Sequence, residues 1–284
     1  MKQIDNKECW NWNEFSAAMD EHLSSHKHES KDLLQLVQEC DEIVSRIVER
    51  PLSFAQERPQ DFVTALLITR SFRLCISAIK ISLSGYPEIA PNLTRTIWEI
   101  GLWLFLIQND PISASLGFLL SGVEQEIEMM EYDLQERCSE KECLGNLPKN
   151  LQTWKDYRET LEDIIGKHGL SLEDLQKKYG RLSPWKVCKN LGLVRAYKIS
   201  YAFMSGHVHE RGFVNEVFLD ESQAGVRKFV LSPVCSGCIE GVLDALNTLI
   251  ANLCGAAAII GESDLEEKCR EIGDRISKFW FKTW

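Results

Sequence analysis

The sequence contains no Walker A stretch, no Gly-x-Gly-x-x-Gly turn and no Gly-x-Ser-x-Gly nucleophile elbow. Those patterns cradle phosphates on backbone amides or expose a nucleophile at a strand end. Their absence argues against the common nucleotide-using enzymes and the α/β-hydrolases. Glycine and proline are sparse, 17 and 8 in 284 residues, so long segments run without a backbone breaker. Uninterrupted apolar runs are short as well. The longest apolar stretches are 97–107 and 243–261. The first is shorter than the ~20 residues a membrane span needs. The second is interrupted by Asp244, Asn247 and Asn252. Both are read as buried helices of a soluble core, and no membrane partner is expected. The opening residues MKQIDNKECWNWNEF lack the apolar centre of an export signal, so the expected location is cytoplasmic. An excess of positive charge is missing too. Lysine and arginine number 32 against 42 aspartate and glutamate, a formal net charge of −10. Such a chain repels phosphates on average, which argues against non-specific DNA coating. A local basic patch remains able to bind RNA.

What is present suits a globular protein. Hydrophobic residues make up 44% and charged residues 26%, enough for a core and a solvated surface. The ten cysteines are scattered, several inside apolar helical patterns. Reduced thiols are expected, with Cys75 and Cys254 acting as small hydrophobes.

The periodicity is helical almost throughout. Leu33, Leu34, Leu36, Val37, Ile43, Val44 and Ile47 recur at helical spacing between Ser30 and Pro51. Pro59 and Asp61 open a helix to about Ser84, stopped by Gly85. Pro91 opens 92–108, closed by Asn109, Asp110 and Pro111. A further helix covers about 112–138. The charged stretch 139–149 reads as a loop. Helices follow at about 151–168, 171–179 and 185–191, then the segment 193–207, and finally about 235–261 and 264–281. One region departs from this pattern. Phe213–Leu219 and Val226–Leu231 are rich in Val and Phe, with Asp220–Gly225 between them. They predict a short β-hairpin-like excursion near 213–231. The expected architecture is an all-α multi-helix bundle, with a polar N-terminal segment at 1–29 and a single helical domain at 30–284.

Two segments carry the candidate chemistry. In the helix NLTRTIWEIGLWLFLIQ, Arg95 and Glu99 stand four residues apart on one face of an otherwise apolar helix. A charged pair there must be hydrogen-bonded or line a cavity, because an unpaired buried charge is costly. It reads either as a polar site or as an ordinary ion pair. In RAYKISYAFMSGHVHERG, Tyr197, Tyr201, Ser205 and His209 step by four, so a continuous helix would carry all of them on one face. His207 would point elsewhere, and Gly206 is able to end such a helix. This stripe reads either as a site or as a bundle rim whose polar tips find hydrogen bonds.

The Arg95-to-Glu99 helix, together with the later Tyr-xxx-Tyr-xxx-Ser-xxx-His segment, resembles a widespread family of bacterial helical proteins of unknown function. Its members are often associated with phage-defence loci. The likeness covers roughly 66–209, with Trp185 upstream also fitting. More distantly the chain is similar to HEPN-type bundles, many of them metal-independent ribonucleases. HEPN ribonucleases place a histidine four to six residues after an arginine on one helix. Here Arg195 lies too far from His207 or His209, so the positive charge would come from Arg95. The resemblance implies Arg95, Glu99, Tyr201, Ser205 and His209 as catalytic positions. Tyr197, His207 and Arg211 are the accompanying binding candidates. His209 suits a base for the ribose 2′-hydroxyl, because a pKa of about 6.5 is near the working pH. Arg95 suits a phosphate clamp, because its planar fork matches phosphate oxygens.

Cys235-Ser-Gly-Cys238 is a lone CxxC that His207 and His209 would complete as a zinc site. A structural zinc motif normally needs a second half-site, and Cys138 with Cys143 is only a looser pair. The favoured reading has no metal and no cofactor. His22, His26 and His28 read as a solvated face. The terminal aromatics Phe279, Trp280, Phe281 and Trp284 read as rings docked on their own bundle, or as an anchor for a partner or homodimer. Two function classes stay open. One is a HEPN-like metal-independent ribonuclease or toxin-type effector in bacterial defence, with RNA as partner. The other is a non-catalytic ligand-binding or adaptor protein that uses the same polar pocket.

Overall fold

The computed structural model describes residues 27–50, 57–137, 146–180, 182–201, 204, 219–223, 226–229 and 238–283. The fold is all-α. Helix α1 spans Lys27–Val48, α2 Pro59–Leu83, α3 Ala90–Asn109 and α4 Pro111–Arg137. Helix α5 spans Leu147–Lys167, α6 Leu172–Tyr179 and α7 Pro184–Asn190. Two long helices close the series, α8 at Cys238–Ile260 and α9 at Ser263–Thr283.

The helix ends follow local chemistry. Pro59 sits in the first turn of α2, where its missing N–H is not needed. Gly85 lies just past the end of α2 with φ +86°, and Gly261 just past α8 with φ +79°. A side chain disfavours that left-handed conformation, which is why glycine stops both helices. Ser171 and Ser183 cap α6 and α7, each accepting from a backbone N–H three residues on.

Helix α8 is the centre of the bundle. It packs most extensively on α3 and α2, then on α9, while α4 carries α5 and α6. Its buried residues, among them Gly241, Leu243, Leu246 and Asn252, cover rather more than half of its circumference, while Asp244, Asn247 and Ala251 on the remaining face are exposed. A helix with so wide a buried face packs against several neighbours at once. Helix α9 is the opposite case. Leu265, Cys269, Ile272 and Ile276 form one buried stripe, and its polar face pairs with α1 through Lys268–Glu42 at 2.7 Å and Arg275–Glu39 at 2.6 Å. Phe279 packs against the main core. The other terminal aromatic side chains lie outside the described residues.

Two helices, α2 and α8, are long and apolar enough to cross a membrane. Only α8 is anticipated by the apolar runs in the sequence, and more than half of each apolar window, 61% and 56%, is buried inside the bundle. Their apolar surface is largely spent on each other and on α3.

Two expectations need correction. The loop read at 139–149 ends earlier, because α5 begins at Leu147 with Pro148 in its first turn. The hairpin of two Val- and Phe-rich arms is not supported. The pairing that occurs joins Leu219–Gln223 to Val226–Phe229, so Asp220–Gln223, read as the connection, lies in the first strand. Its register shifts between Asp220 and Gln223. Residues 213–218 lie outside the described residues. Within the segment 193–207 the described residues depart from a continuous α-helix. A short helical turn at Val194–Ala196 passes into a π-helical turn at Tyr197–Tyr201.

Candidate functional site

Arg95 and Glu99 lie on the second and third turns of α3, and the π-helical turn lies against them. Arg95 Nε donates to Glu99 Oε1 at 3.2 Å, as the i, i+4 spacing predicts. Arg95 Nη2 donates to Tyr201 Oη at 2.5 Å, and the Tyr201 hydroxyl donates to the same Glu99 oxygen at 3.0 Å. The three side chains form a closed triangle joining residues more than a hundred positions apart. Tyr201 is 7% exposed. Burial, then the nearby Glu99 carboxylate, raises its pKa, against the opposing pull of Arg95. Its hydroxyl is therefore a protonated donor at neutral pH.

The pair is less buried than an apolar helix implies. The side chains of Arg95 and Glu99 are 22% and 36% exposed. Ion pairs this open contribute roughly 0.2–1 kcal/mol, so the triangle fixes geometry more than it holds the fold together.

Aromatic rings extend the site outward. Tyr197 stacks on Tyr201 with centroids 4.7 Å apart and planes 20° from parallel. Trp98 lies 5.3 Å from Tyr201, and Trp185 meets Tyr197 edge-on at 5.1 Å. The Arg95 guanidinium sits 4.6 Å from the Tyr201 ring centroid. The stacking of Tyr197 on Tyr201 is made on the π-helical turn, a local departure that recurs at functional sites.

Thus the structure brings together Arg95, Glu99, Tyr201 and Tyr197. Ser205, His207, His209, Arg211 and Cys235 lie outside the described residues. Cys238 is buried at the start of α8. Among the described residues no cluster of three or more His, Cys, Asp or Glu side chains could hold a metal. The buried thiols behave as core. Cys40 and Cys75 are fully buried, and burial, followed by the neighbouring Cys254, pushes the Cys269 thiol up to about 12.

Two features escaped the reading of the sequence. One is a charge run. From Leu175 to His209 there is no acidic residue, while Lys177, Lys178, Arg181, Lys186, Lys189, Arg195 and Lys198 are all basic. In a chain of net −10 this run is a local excess of positive charge, from which Lys178 is partly withdrawn by its ion pair with Asp110 at 2.7 Å. Lys186, Lys189, Arg195 and Lys198 are exposed around the aromatic ladder, as is Trp185 at its outer end. Averaging the charge over the whole chain hides this run.

The other is a cavity of about 660 Å³ on the far side of Trp98, between α3 and α8. Asp244, Thr248 and Asn252 line it from α8 at intervals of four residues, with Asn247 beside them. These are the polar interruptions of the apolar stretch 243–261, and they mark one face. Desolvation in this concave wall, with Glu240 adding repulsion, pushes the accessible Asp244 carboxyl up to about 6. Its ordinary value is 3.8. The folded state therefore holds a proton that the unfolded chain has released between those pH values. The stability Asp244 contributes is present at low pH and is lost as pH rises through about 6. Asp244→Asn is expected to raise the melting temperature at about pH 7.5 and to leave it unchanged near about pH 3. Thermal unfolding of both proteins across that range checks it, and a lower melting temperature for the variant at the higher pH would refute it.

Comparison with curated proteins and with solved structures gives no match. A family model does match residues 61–225. That interval is more than half of the chain and contains Arg95, Glu99, Tyr197 and Tyr201, as well as the stretch 66–209 over which a resemblance is read. The chain belongs to the family described as DUF5677, a family of unknown function.

Proposed function

We propose that this protein is a HEPN-like, metal-independent ribonuclease or toxin-type effector of bacterial phage defence, acting on RNA in the cytoplasm. The observation that carries the reading is the basic, aromatic surface built around the Arg95–Glu99–Tyr201 triangle. Exposed lysines and arginines draw in the phosphate backbone. An exposed ring such as Trp185 offers a face on which a base can stack. The same contact of Tyr201 with Arg95 draws together the two sequence segments on which the resemblance rests. In the proposed reaction His209 takes the proton from the ribose 2′-hydroxyl, whose oxygen attacks the adjacent phosphorus. The P–O5′ bond breaks, and O5′ takes a proton from solvent water, leaving a 2′,3′-cyclic phosphate and a 5′-hydroxyl. Arg95 holds the developing phosphorane charge, and Tyr201 and Ser205 position the phosphate.

The experiment is cleavage of purified tRNA in the presence of a chelator, by the wild-type protein and by His209→Ala. Wild-type cleavage to cyclic-phosphate ends, lost in the variant, is the expected result. No cleavage by the wild type, or equal cleavage by both, would sink it.

The second reading is a non-catalytic adaptor in which the triangle stiffens the bundle. It is favoured by the closure of the network, since Glu99 accepts from both Arg95 and Tyr201 and leaves the guanidinium partly satisfied. A homodimer is compatible with either reading.

A further inference from the structure

We propose that the cavity between α3 and α8 binds a small organic cation, an ammonium or amidinium group carried on an apolar or aromatic body. The inference rests on which hydrogen-bonding capacity the walls leave unused. Asn252 is 4% exposed. Its amide nitrogen donates to Ser71 Oγ at 3.0 Å and to Ile97 O at 2.8 Å, so its carbonyl oxygen is left to accept. The Thr248 hydroxyl donates to the Asp244 backbone carbonyl at 2.8 Å, so its oxygen too can only accept. Asp244 adds a carboxylate. Thr94 lines the opposite wall; it is 3% exposed and its hydroxyl has no protein partner. Buried hydroxyls are nearly always hydrogen-bonded, so this one is an unsatisfied polar group within the wall.

A wall of acceptors with a net negative charge selects a donor-rich cation. No lysine or arginine is found among the described lining residues, so this cavity does not suit a phosphate or carboxylate. That separates it from the basic surface proposed for RNA. Trp98, Leu102 and Phe105 from α3, with Leu193 and Ile199 from the segment after α7, supply apolar and aromatic wall. Aromatic faces attract cations and stack on planar groups. A volume of about 660 Å³ is in the range of small-molecule sites. Trp98 also touches Tyr201, so an occupant would press on the ring that holds Arg95.

Benzamidine is a suitable probe, with benzoate and benzamide as the anionic and neutral controls. Titration calorimetry on the full-length protein is expected to give one site with a Kd below about 1 mM. Neither control is expected to bind within about tenfold of that affinity. Asp244→Asn should weaken benzamidine at least ~10-fold. Thr94→Val removes the unsatisfied wall hydroxyl at nearly constant shape. It should weaken binding about 3-fold without lowering the melting temperature. The proposal is overturned if benzamidine produces no binding at about 10 mM, if benzoate binds as well, or if Asp244→Asn and Thr94→Val both bind like the wild type.

Discussion

Arg95→Ala is expected to lower RNA cleavage by about 10²–10³-fold, the usual loss when a preorganised charge-stabilising donor is removed. Its effect on stability should be small. The Arg95–Glu99 pair is part-exposed, and such a pair contributes roughly 0.2–1 kcal/mol. The hydrogen bond to Tyr201 adds about 1 kcal/mol. In a chain of this size 1 kcal/mol moves the melting temperature by about 2–4 °C, so a fall of only a few degrees is expected. Arg95→Lys keeps the charge and loses the planar fork, so it should recover part of the activity. Single-turnover cleavage of labelled tRNA, run beside thermal unfolding, reads both quantities. Unchanged cleavage would remove Arg95 from the chemistry. A fall above about 10 °C would make the triangle a structural clasp and favour the adaptor reading.

The second large effect concerns the packing of α3 on α8. A Cβ placed on Gly101 would come within 2.5 Å of Asn252 Oδ1. Asn252 cannot easily withdraw, because its amide nitrogen is held by Ser71 and Ile97. Gly101→Ala is therefore expected to cost about 1–3 kcal/mol by overpacking. Asn252→Ala loses both hydrogen bonds and should cost about 1–3 kcal/mol as well. The double variant gives the sharper result. With the amide gone the methyl has room, and alanine is better than glycine inside a helix by about 0.5–1 kcal/mol. Gly101→Ala should then reverse sign and stabilise the Asn252→Ala protein. Denaturant unfolding of the four proteins measures this coupling. Additive costs would mean that glycine at 101 answers to some other constraint.

Much of this molecule is written locally. Pro59, Gly85 and Gly261 delimit helices by their own backbone preferences, and the apolar spacing of α1 and α9 identifies the faces they bury. Arg95 and Glu99 are legible as a pair because four residues along a helix is a short distance. Other features are not local. A helix with a wide apolar face, such as α8, announces burial but not its neighbours. Asp244 and Asn252 look like flaws in an apolar run until α3 closes over them.

Helical class, helix ends and the Arg95–Glu99 pairing follow from the sequence alone, because each depends on residues within a turn or two of one another. The junction of Tyr201 with Arg95 depends on residues 106 positions apart. Neighbouring residues do not encode that separation, so only packing decides it. The same holds for the cavity, whose walls come from α3, α8 and the turn after α7. The π-helical turn is likewise a tertiary decision. The spacing of Tyr197 and Tyr201 suits an ordinary α-helix, and in the fold the wider turn is seated with Tyr201 against Arg95 and Glu99.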